Sequence, residues 1–449
     1  MKSRNQSMDM TQGVIWKQLA YFALPLFLGN LCQQLYNTAD SVIVGKFVGK
    51  DALAAVSSSG NLIFMMTGFF MGLFVGAGVI ISRYFGAKCY DRLEAAVHTD
   101  LAFAMVCGVL LTLVGIFLTP QILVWMRTPE DVLPQSIQYF RLYFMGSLFM
   151  IVYNACMGIL QAVGDSRSPL RYLIISSITN VTLDLIFVGA LKWGVNGAAI
   201  ATVVSQMVSA VLCFRKLMQA DGPYRLVPKR IRFELPMLKQ IMAQGIPSGV
   251  QNSIIAIANV VVQSNINKFG KMAVAGCGAY STIEGFGFLP ITCFALSMTT
   301  FISQNLGAGK KERINKILIT CELLVFTVGL VMGNAAYFLG DRLLHIYSSD
   351  PEVIQYGLMR MQVICTVYFL CGMMDVLVGS LRGLNYSVLP MIVSLAGACG
   401  LRIVWIFTIF QWHRSLFVLY LSYPVTWLVT AIAHFICFIV VRKKIEKEK

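Results

Sequence analysis

The chain has 449 residues, of which 57% are hydrophobic and only 13% are charged, and its formal net charge is +15. Soluble domains carry about 25% charged residues, so this composition excludes a soluble globular protein. The basic residues lie mostly between apolar runs, a distribution typical of a membrane-topology signal and not of a nucleic-acid-binding surface.

Twelve apolar runs are long enough to cross the ~30 Å hydrocarbon core of a bilayer as helices. In chain order they are predicted at 18–44, 52–83, 94–119, 137–163, 169–191, 194–217, 240–266, 273–305, 314–338, 353–381, 387–410 and 416–441. Most Lys and Arg residues fall at the two ends and in the even-numbered loops, so the positive-inside rule places both termini in the cytoplasm. We therefore expect a multi-pass protein of the cell membrane.

The second half of the chain repeats the first. ISRYFGAKCYDRLEAAV at 81–97 returns as ISQNLGAGKKERINKIL at 302–318, and LQAVGDSRSP at 160–169 returns as LRGLNYSVLP at 381–390. A repeat of this length is not a solenoid unit, and six helices in each half make the repeats parallel, with a pseudo-twofold axis along the membrane normal.

The predicted architecture is therefore all-α, with twelve membrane helices in two parallel six-helix repeats. We predict an N-terminal lobe at 1–217, a cytoplasmic linker at 218–238, and a C-terminal lobe with a basic cytoplasmic tail at 239–449. The glycines at 68, 72 and 76 have the small-xxx-small spacing that lets membrane helices approach closely.

No catalytic constellation is found in the sequence. The twelve cysteines are dispersed singly, the four histidines are scattered, and HExxH and GxSxG motifs are absent. We therefore expect a protein that is not an enzyme and that has no bound cofactor.

Four acidic residues fall well inside predicted helices: Asp40, Asp184, Glu284 and Asp375. A charge at mid-bilayer costs about 2.5–3.5 kcal/mol on insertion scales, so such residues usually have a function. Asp100 and Glu322 lie nearer the predicted cytoplasmic helix ends, where we expect them to reach water.

A polar stripe on the first predicted helix is formed by Gln33, Tyr36, Asn37 and Asp40, which are spaced i, i+3, i+4 and i+7. This stripe is predicted to face a partner helix or a watery cavity. Pro25, earlier in the same helix, is expected to kink it and is our candidate hinge, with a static bend as the alternative.

A candidate ion site combines Asp40 with Asn180 and Asp184, which are four residues apart on one helix face, and with Thr202 on the next helix. Their oxygen atoms suit Na⁺, whereas crowding of the carboxylates in a dry pocket would suit a proton carrier. The sequence leaves these two choices open, together with purely structural hydrogen bonding.

The acids are not repeated between the halves. In the repeat alignment Asp40 falls on Val262 and Asp184 on Trp405, so we assign the ion chemistry to the first half. Glu284 stands near glycines and Pro290, where a distorted helix would expose it to a cavity, and for it and Asp375 function and structure remain equally open.

The chain resembles the multidrug and toxic compound extrusion transporters over residues 15–441, and within them the DinF-like branch. The resemblance rests on the two six-helix halves, the run YNTADSVIVGKFVG at 36–49, the run TNVTLDLIFV at 179–188, and the paired loops at 160–169 and 381–390. It implies a V-shaped antiporter that exports organic cations and amphiphilic drugs in exchange for H⁺ or Na⁺ by alternating access, and so confers antibiotic resistance.

The resemblance also implies site residues. It places the coupling ion at Asp40, Asn180, Asp184 and Thr202. It also matches Gln33, Tyr36 and Asn154 to cavity positions of the same branch. To this predicted substrate cavity the polar and acidic positions of the sequence itself add Asn37, Asn259, Glu284 and Asp375. One departure concerns Ile255, which stands where the NorM-like branch carries an acid, and it puts a second-half cation site in doubt.

A second functional hypothesis is a flippase for lipid-linked oligosaccharides or peptidoglycan precursors. Such a protein needs basic residues to bind pyrophosphate, and Arg402 is the clearest basic residue inside a predicted span. As partners we expect small organic cations or amphiphiles and membrane lipid, no nucleic acid, and a monomeric protein.

Overall fold

The computed structural model describes residues 8–48, 50–125 and 133–447, and every regular element in them is helical. The helices of the first half are α1 Ile15–Phe47, α2 Lys50–Gly86, α3 Tyr90–Trp125, α4 Leu133–Met145, α5 Ser147–Ala162, α6 Arg167–Asp184 and α7 Gly194–Met218. The second half contains α8 Leu235–Ile266, α9 Lys271–Gly307, α10 Lys311–Phe338, α11 Gly340–His345, α12 Pro351–Ile364, α13 Phe369–Gly383, α14 Val388–Ser394, α15 Arg402–Phe407, α16 Ile409–Trp412 and α17 Leu416–Lys447. The predicted all-α fold is confirmed.

Within the described residues, nine helical segments are long and apolar enough to span a membrane, and the count reaches eleven when two bent pairs are taken as one span each. The pairs are α4 with α5, bent by 45°, and α12 with α13, bent by 49°. The 33-residue α1 is not counted among the nine segments, because its polar stripe lowers its mean hydropathy. Each of the twelve predicted runs nevertheless falls on one of these helices or bent pairs.

Two helices continue as π-helical segments, Leu185–Ala190 after α6 and Leu395–Leu401 after α14. A π segment interrupts the regular i→i−4 hydrogen bonding and is frequent at functional sites. The first of them begins directly after Asp184.

The chain packs into two compact units. The first consists mainly of Leu28–Gly245, and the second combines Met10–Phe27 with Ile246–Lys449. Two of the unit boundaries therefore fall inside a helix, within three residues of Pro25 in α1 and of Pro247 in α8, and a third lies between Asp9 and Met10, before α1 begins.

The first unit has a core of buried apolar side chains on α2, α3, α5 and α7 and on the first turns of α8. In the second unit, the start of the chain is fixed to the end of α9: Asn305 Nδ2 donates to the Met10 carbonyl at 3.1 Å, and the Phe22 and Phe301 rings pack edge to face. The first residues of α1 thus belong to the second unit and the rest of α1 to the first. The reverse holds for α8, which begins in the first unit and continues in the second.

The linker between α7 and α8 is docked on the first unit. The Val227 N–H donates to His98 Nε2 at 3.1 Å, Arg230 forms a 2.5 Å ion pair with Glu94, and the Glu234 N–H donates to Thr99 Oγ1. Because His98 Nε2 accepts, its Nδ1 carries the proton and donates to the Glu94 carbonyl at 2.8 Å. This scattered histidine therefore has a structural role.

Candidate functional site

The candidate site in the first unit is built around two carboxyl groups. Asp40 of α1 and Asp184 at the end of α6 lie within hydrogen-bonding reach of each other, and they are 9% and 0% exposed. Two carboxylates this close in a buried place cannot both remain ionised without a counter-charge. A buried carboxyl pair of this kind is stabilised by a proton or by a cation.

Asn180 supplies a further oxygen atom beside Asp184 of this pair. Asn180 lies one turn before Asp184 and is 1% exposed, and in the described part of the chain neither of its amide atoms has a hydrogen-bond partner. The same holds for both oxygens of Asp184 and for Oδ1 of Asp40. Because native proteins satisfy most buried polar atoms, this concentration of unsatisfied oxygens marks a place for a ligand.

Thr202 is 7% exposed, and its hydroxyl donates to the Ala198 carbonyl of its own helix at 3.0 Å. Its oxygen keeps lone pairs that can accept or coordinate. A hydrogen bond of 2.7 Å from Ser176 Oγ to the Ser205 carbonyl joins α6 to α7 and fixes the relative position of these two helices.

An apolar cluster sets the register of the four helices that form the site. It contains buried side chains from α1, α4 and α7 and from the π segment after α6: Ile43, Val44, Tyr139, Val188, Val195, Ala198 and Ala199. Asp40, Asp184 and Thr202 each lie one turn away from a member of this cluster. Packing of this cluster thus brings together polar residues that are far apart in the sequence.

Tyrosines of α4 complete the surroundings of the carboxyl pair. Tyr139 is 4% exposed and lies within electrostatic range of both acids, and its ring stacks on that of Tyr143 at 6.3 Å. Sequence reasoning missed both residues. The signal available in the sequence was their i, i+4 spacing, which places Tyr139 and Tyr143 on one face of a helix.

The predicted cavity residues of the first half lie on α1 and α5. Gln33 and Asn37 are exposed on the unit, Tyr36 is half-buried, and Asn154 donates to the Met150 carbonyl of its own helix at 2.7 Å. The α1 stripe does present a polar surface. Substrate binding by these residues stays a prediction.

In the second unit the predicted residues separate into two groups. Asn259 is exposed and accepts from Arg402 Nη1 at 3.4 Å, and Glu284 accepts from the Tyr368 hydroxyl at 3.5 Å. Glu284 also lines a cavity of ≈ 20 Å³, which has room for about one water molecule. It is too small for a drug-sized ligand.

Asp375 belongs to the other group, on α13. It lies within electrostatic range of Arg382, two turns along the same helix, whose Nη2 donates to Gln251 Oε1 at 2.7 Å. Gln251 in turn donates to Ser394 Oγ at 2.9 Å, and this hydroxyl contacts His434 Nε2 at 3.1 Å. The second group is thus a buried polar network joining α8, α13, α14 and α17.

Other buried ionic residues were missed or misplaced by the sequence reasoning. Arg360 is 6% exposed, and Arg382 also lies within a helical span, so Arg402 has two basic companions in this half. The expectation that Asp100 reaches water is wrong: it is 1% exposed, because its helix is packed on all sides at that level. Both carboxylate oxygens of Glu322 are likewise buried, so its expected access to water is also wrong.

The described residues contain no group of three or more His, Cys, Asp or Glu side chains placed to hold a metal ion. Any cation at Asp40 and Asp184 would therefore be held by two carboxylates with neutral oxygens. That donor set fits a monovalent ion that binds reversibly.

The MatE family model matches this chain twice, over residues 25–186 and 247–408. The chain belongs to the MatE family. The two matches begin 222 residues apart (247 against 25), so they also confirm the internal repeat in this MatE protein. The predicted resemblance to multidrug and toxic compound extrusion transporters is confirmed.

Similar proteins cover nearly the whole length of this MatE chain. A probable multidrug resistance protein, YoeA of Bacillus subtilis, is 26% identical over 93% of the chain and 92% of its own length. An FAD transporter of Shewanella oneidensis is 22% identical over 88% of the chain and 87% of its own length. A solved MOP superfamily transporter from Pyrococcus furiosus superposes with a TM-score of 0.92 at 20% identity, covering 99% of both chains. The two-repeat helical fold is thereby confirmed.

Proposed function

We propose that this protein is a secondary active exporter of organic cations and amphiphilic drugs, driven by inward flow of H⁺ or Na⁺. The observation that carries this proposal is the buried Asp40–Asp184 pair, with its unsatisfied oxygens. Membership of a transporter family and the relative named as a multidrug resistance protein support it. We further propose a monomer in the cell membrane with both termini in the cytoplasm.

The pair can take either coupling ion. With H⁺, one carboxyl becomes neutral and donates to the other, which removes the repulsion between them. With Na⁺, the carboxylates of Asp40 and Asp184 and the oxygens of Asn180 and Thr202 form a hard-oxygen set. In both cases the ion neutralises a charge that is otherwise costly to bury.

Coupling requires that ion and substrate have different affinities for the two conformations of the carrier. Asp40 lies on the same face of α1 as Gln33, Tyr36 and Asn37, so the ion alters the charge of the face proposed to bind substrate. The unit boundary in α1 lies between Phe27 and Leu28, just beyond Pro25. We propose this proline as the hinge at which α1 changes its course when the ion binds.

The decisive experiment uses Asp40→Asn in proteoliposomes. Wild-type protein should export ethidium when an inward gradient of H⁺ or of Na⁺ is imposed, and Asp40→Asn should abolish this driven export. The matched control is Asp91→Asn, which neutralises an exposed aspartate at the start of α3 and should export normally. Driven export by Asp40→Asn at the wild-type rate would refute the proposed ion site.

A flippase for lipid-linked precursors remains the second candidate, and one observation favours it. The sequence drew attention to Arg402 alone, but two further arginines, Arg360 and Arg382, lie on the helical spans of the second half. Basic groups at this depth are suited to bind pyrophosphate. Translocation of a fluorescent lipid-linked pyrophosphate, unaffected by either ion gradient, would favour this function over drug export.

A further inference from the structure

We infer that the second unit contains a binding subsite for an anionic group, formed by Arg360 and Arg402. The inference rests on the proposed export function and specifies one further class of substrate, aromatic amphiphiles that carry a carboxylate, sulfonate or phosphate. The evidence is a pair of buried guanidinium groups whose charge is only partly balanced, and whose N–H donors are only partly used, by the residues that the structure describes.

Arg360 of α12 and Arg402 at the start of α15 are 6% and 4% exposed. An arginine side chain stays protonated in proteins. Within the described part of the chain, however, neither guanidinium forms an ion pair. An unpaired buried charge is strongly unfavourable, so a counter-charge is expected from outside the described chain.

Tyrosine rings cover the faces of these two groups. The Cζ of Arg360 lies 4.5 Å from the centroid of the Tyr280 ring and 5.4 Å from that of Tyr420, and the Cζ of Arg402 lies 4.0 Å from that of Tyr423. Cation–π contacts of this kind stabilise a desolvated guanidinium. They act on the faces of the group and leave its in-plane N–H donors available.

Those in-plane donors are only partly used. Arg402 donates weakly to Asn259 Oδ1 and Thr426 Oγ1, both at 3.4 Å. Arg402 Nε and the Nε and Nη1 of Arg360 have no partner among the described residues. Planar arrays of N–H donors are suited to bind oxyanions.

The two arginines are close enough to act on one ligand. The Cζ of Arg360 is 6.0 Å and the Cζ of Arg402 is 4.0 Å from the same ring centroid of Tyr423, which limits their separation to about 10 Å. The acid that faces Arg360 in this cluster is Glu284, which accepts from Tyr368 and is not ion-paired with the arginine. Two guanidinium groups against one carboxylate leave an excess positive charge.

The surrounding rings define the remainder of the ligand. Tyr423 and Tyr368 both pack edge to face on Trp427, at 5.7 and 5.9 Å, and Phe288 lies beside Tyr368. Tyr423 and Trp427 are 8% and 6% exposed, so the aromatic body of a ligand would gain apolar contact at the edge of this cluster and not within it. The expected ligand is therefore an aromatic amphiphile with one anionic group, or an anionic lipid headgroup of the same chemistry.

Riboflavin and flavin mononucleotide test this inference, because they share one ring system and differ by a phosphate group. Their fluorescence on binding is measured with the full-length protein in phosphatidylcholine nanodiscs. We expect wild type to bind the mononucleotide about tenfold more tightly, the effect of one charged hydrogen bond. Arg360→Gln and Arg402→Gln should each remove this preference and leave riboflavin affinity unchanged.

The control variant is Arg414→Gln, which removes an exposed arginine of the same unit and should retain the preference. Should the glutamine variants fail to fold, Arg360→Lys keeps the charge without the planar donors and should retain only part of the preference. Equal binding of the two flavins by wild type, or equal loss of both in the glutamine variants, would overturn the inference.

Two further measurements separate the alternatives. Nanodiscs with added phosphatidylglycerol should weaken mononucleotide binding if a lipid headgroup occupies the same subsite, and leave it unchanged if only solutes do. Ethidium export is assayed in parallel with wild type and Asp40→Asn. Absence of the flavin preference in wild-type protein, with intact driven ethidium export, refutes the subsite alone, whereas absence of driven ethidium export by wild-type protein refutes the proposed antiport.

Discussion

Gly76 of α2 offers a stability prediction that can be derived from atomic distances. A Cβ atom at this position would lie 2.3 Å from the Gly245 nitrogen and 2.5 Å from the Gly245 Cα of α8. At Gly68 of the same helix a Cβ would meet no atom of the described residues within 4 Å. Of these two glycines of the predicted small-xxx-small motif, only Gly76 lies at a close helix crossing.

The expected magnitude follows from this geometry. Ordinary contact begins near 3.4 Å, so Gly76→Ala forces the helices apart by about 1 Å, and backbone atoms cannot rotate away. Overpacking costs about 3 kcal/mol at the upper end of its range, offset by ~1 kcal/mol because alanine favours helix over glycine. Gly76→Ala should thus destabilise the protein by about 2 kcal/mol, and Gly68→Ala should stabilise it by up to ~1 kcal/mol.

A thermostability measurement checks the prediction. For domains of 150–250 residues, 1 kcal/mol of stability corresponds to about 2–4 °C in melting temperature. The ~3 kcal/mol between the two variants should therefore separate their melting temperatures by about 6–12 °C. The measurement is size-exclusion chromatography after heating, with both variants in the same detergent. Gly245 directly precedes the unit boundary in α8, so Gly76→Ala should also slow ethidium export. Equal melting of the two variants would refute the reasoning from the close helix crossing.

Two other predictions concern the coupling ion and the orientation. Thr202→Val should abolish Na⁺-driven export and spare H⁺-driven export, because it removes a proposed Na⁺ ligand whose hydroxyl donates to a carbonyl of its own helix. The control is Thr182→Val, at an exposed threonine with the same intrahelical bond, and unchanged Na⁺-driven export by Thr202→Val would exclude Thr202 as a ligand. Cys89 is exposed, whereas the other cysteines are buried or half-buried. A membrane-impermeant maleimide should therefore label Cys89 in inside-out vesicles and not in intact cells, and Cys89→Ser should remain unlabelled. Labelling in intact cells would contradict the predicted orientation.

Much of the fold could be predicted because bilayer insertion is a local requirement. A run of apolar residues must become a helix to satisfy its backbone in lipid, so segments such as Lys311–Phe338 are recognised without knowledge of their neighbours. The bend of 45° around Gly146 could not be predicted in this way. It depends on the close approach of Val203, whose Cγ2 would lie 2.7 Å from a Cβ at that glycine.

The candidate site, like the fold, was predictable from the sequence only in part. Helical periodicity was sufficient to place Asn180 and Asp184 on one face, and the cost of a buried acid was sufficient to single out Asp40. Sequence reasoning overlooked Arg360, since a single arginine in an apolar run carries no periodic signal. Its neighbours come from α9 and α17, which lie far from it in the chain.

The sequence by itself determined the membrane environment, the two-fold repeat and the presence of Asp40 and Asp184 well inside the spans, because hydrophobicity, repetition and charge are properties of short segments. Only the tertiary structure decided which of these residues meet. It paired Asp40 with Asp184, brought Asp375 within electrostatic range of Arg382, and placed the start of α1 in the second unit. The physical reason is that spacing within a helix fixes a face, whereas contact between helices depends on side-chain packing of segments that are remote in the chain.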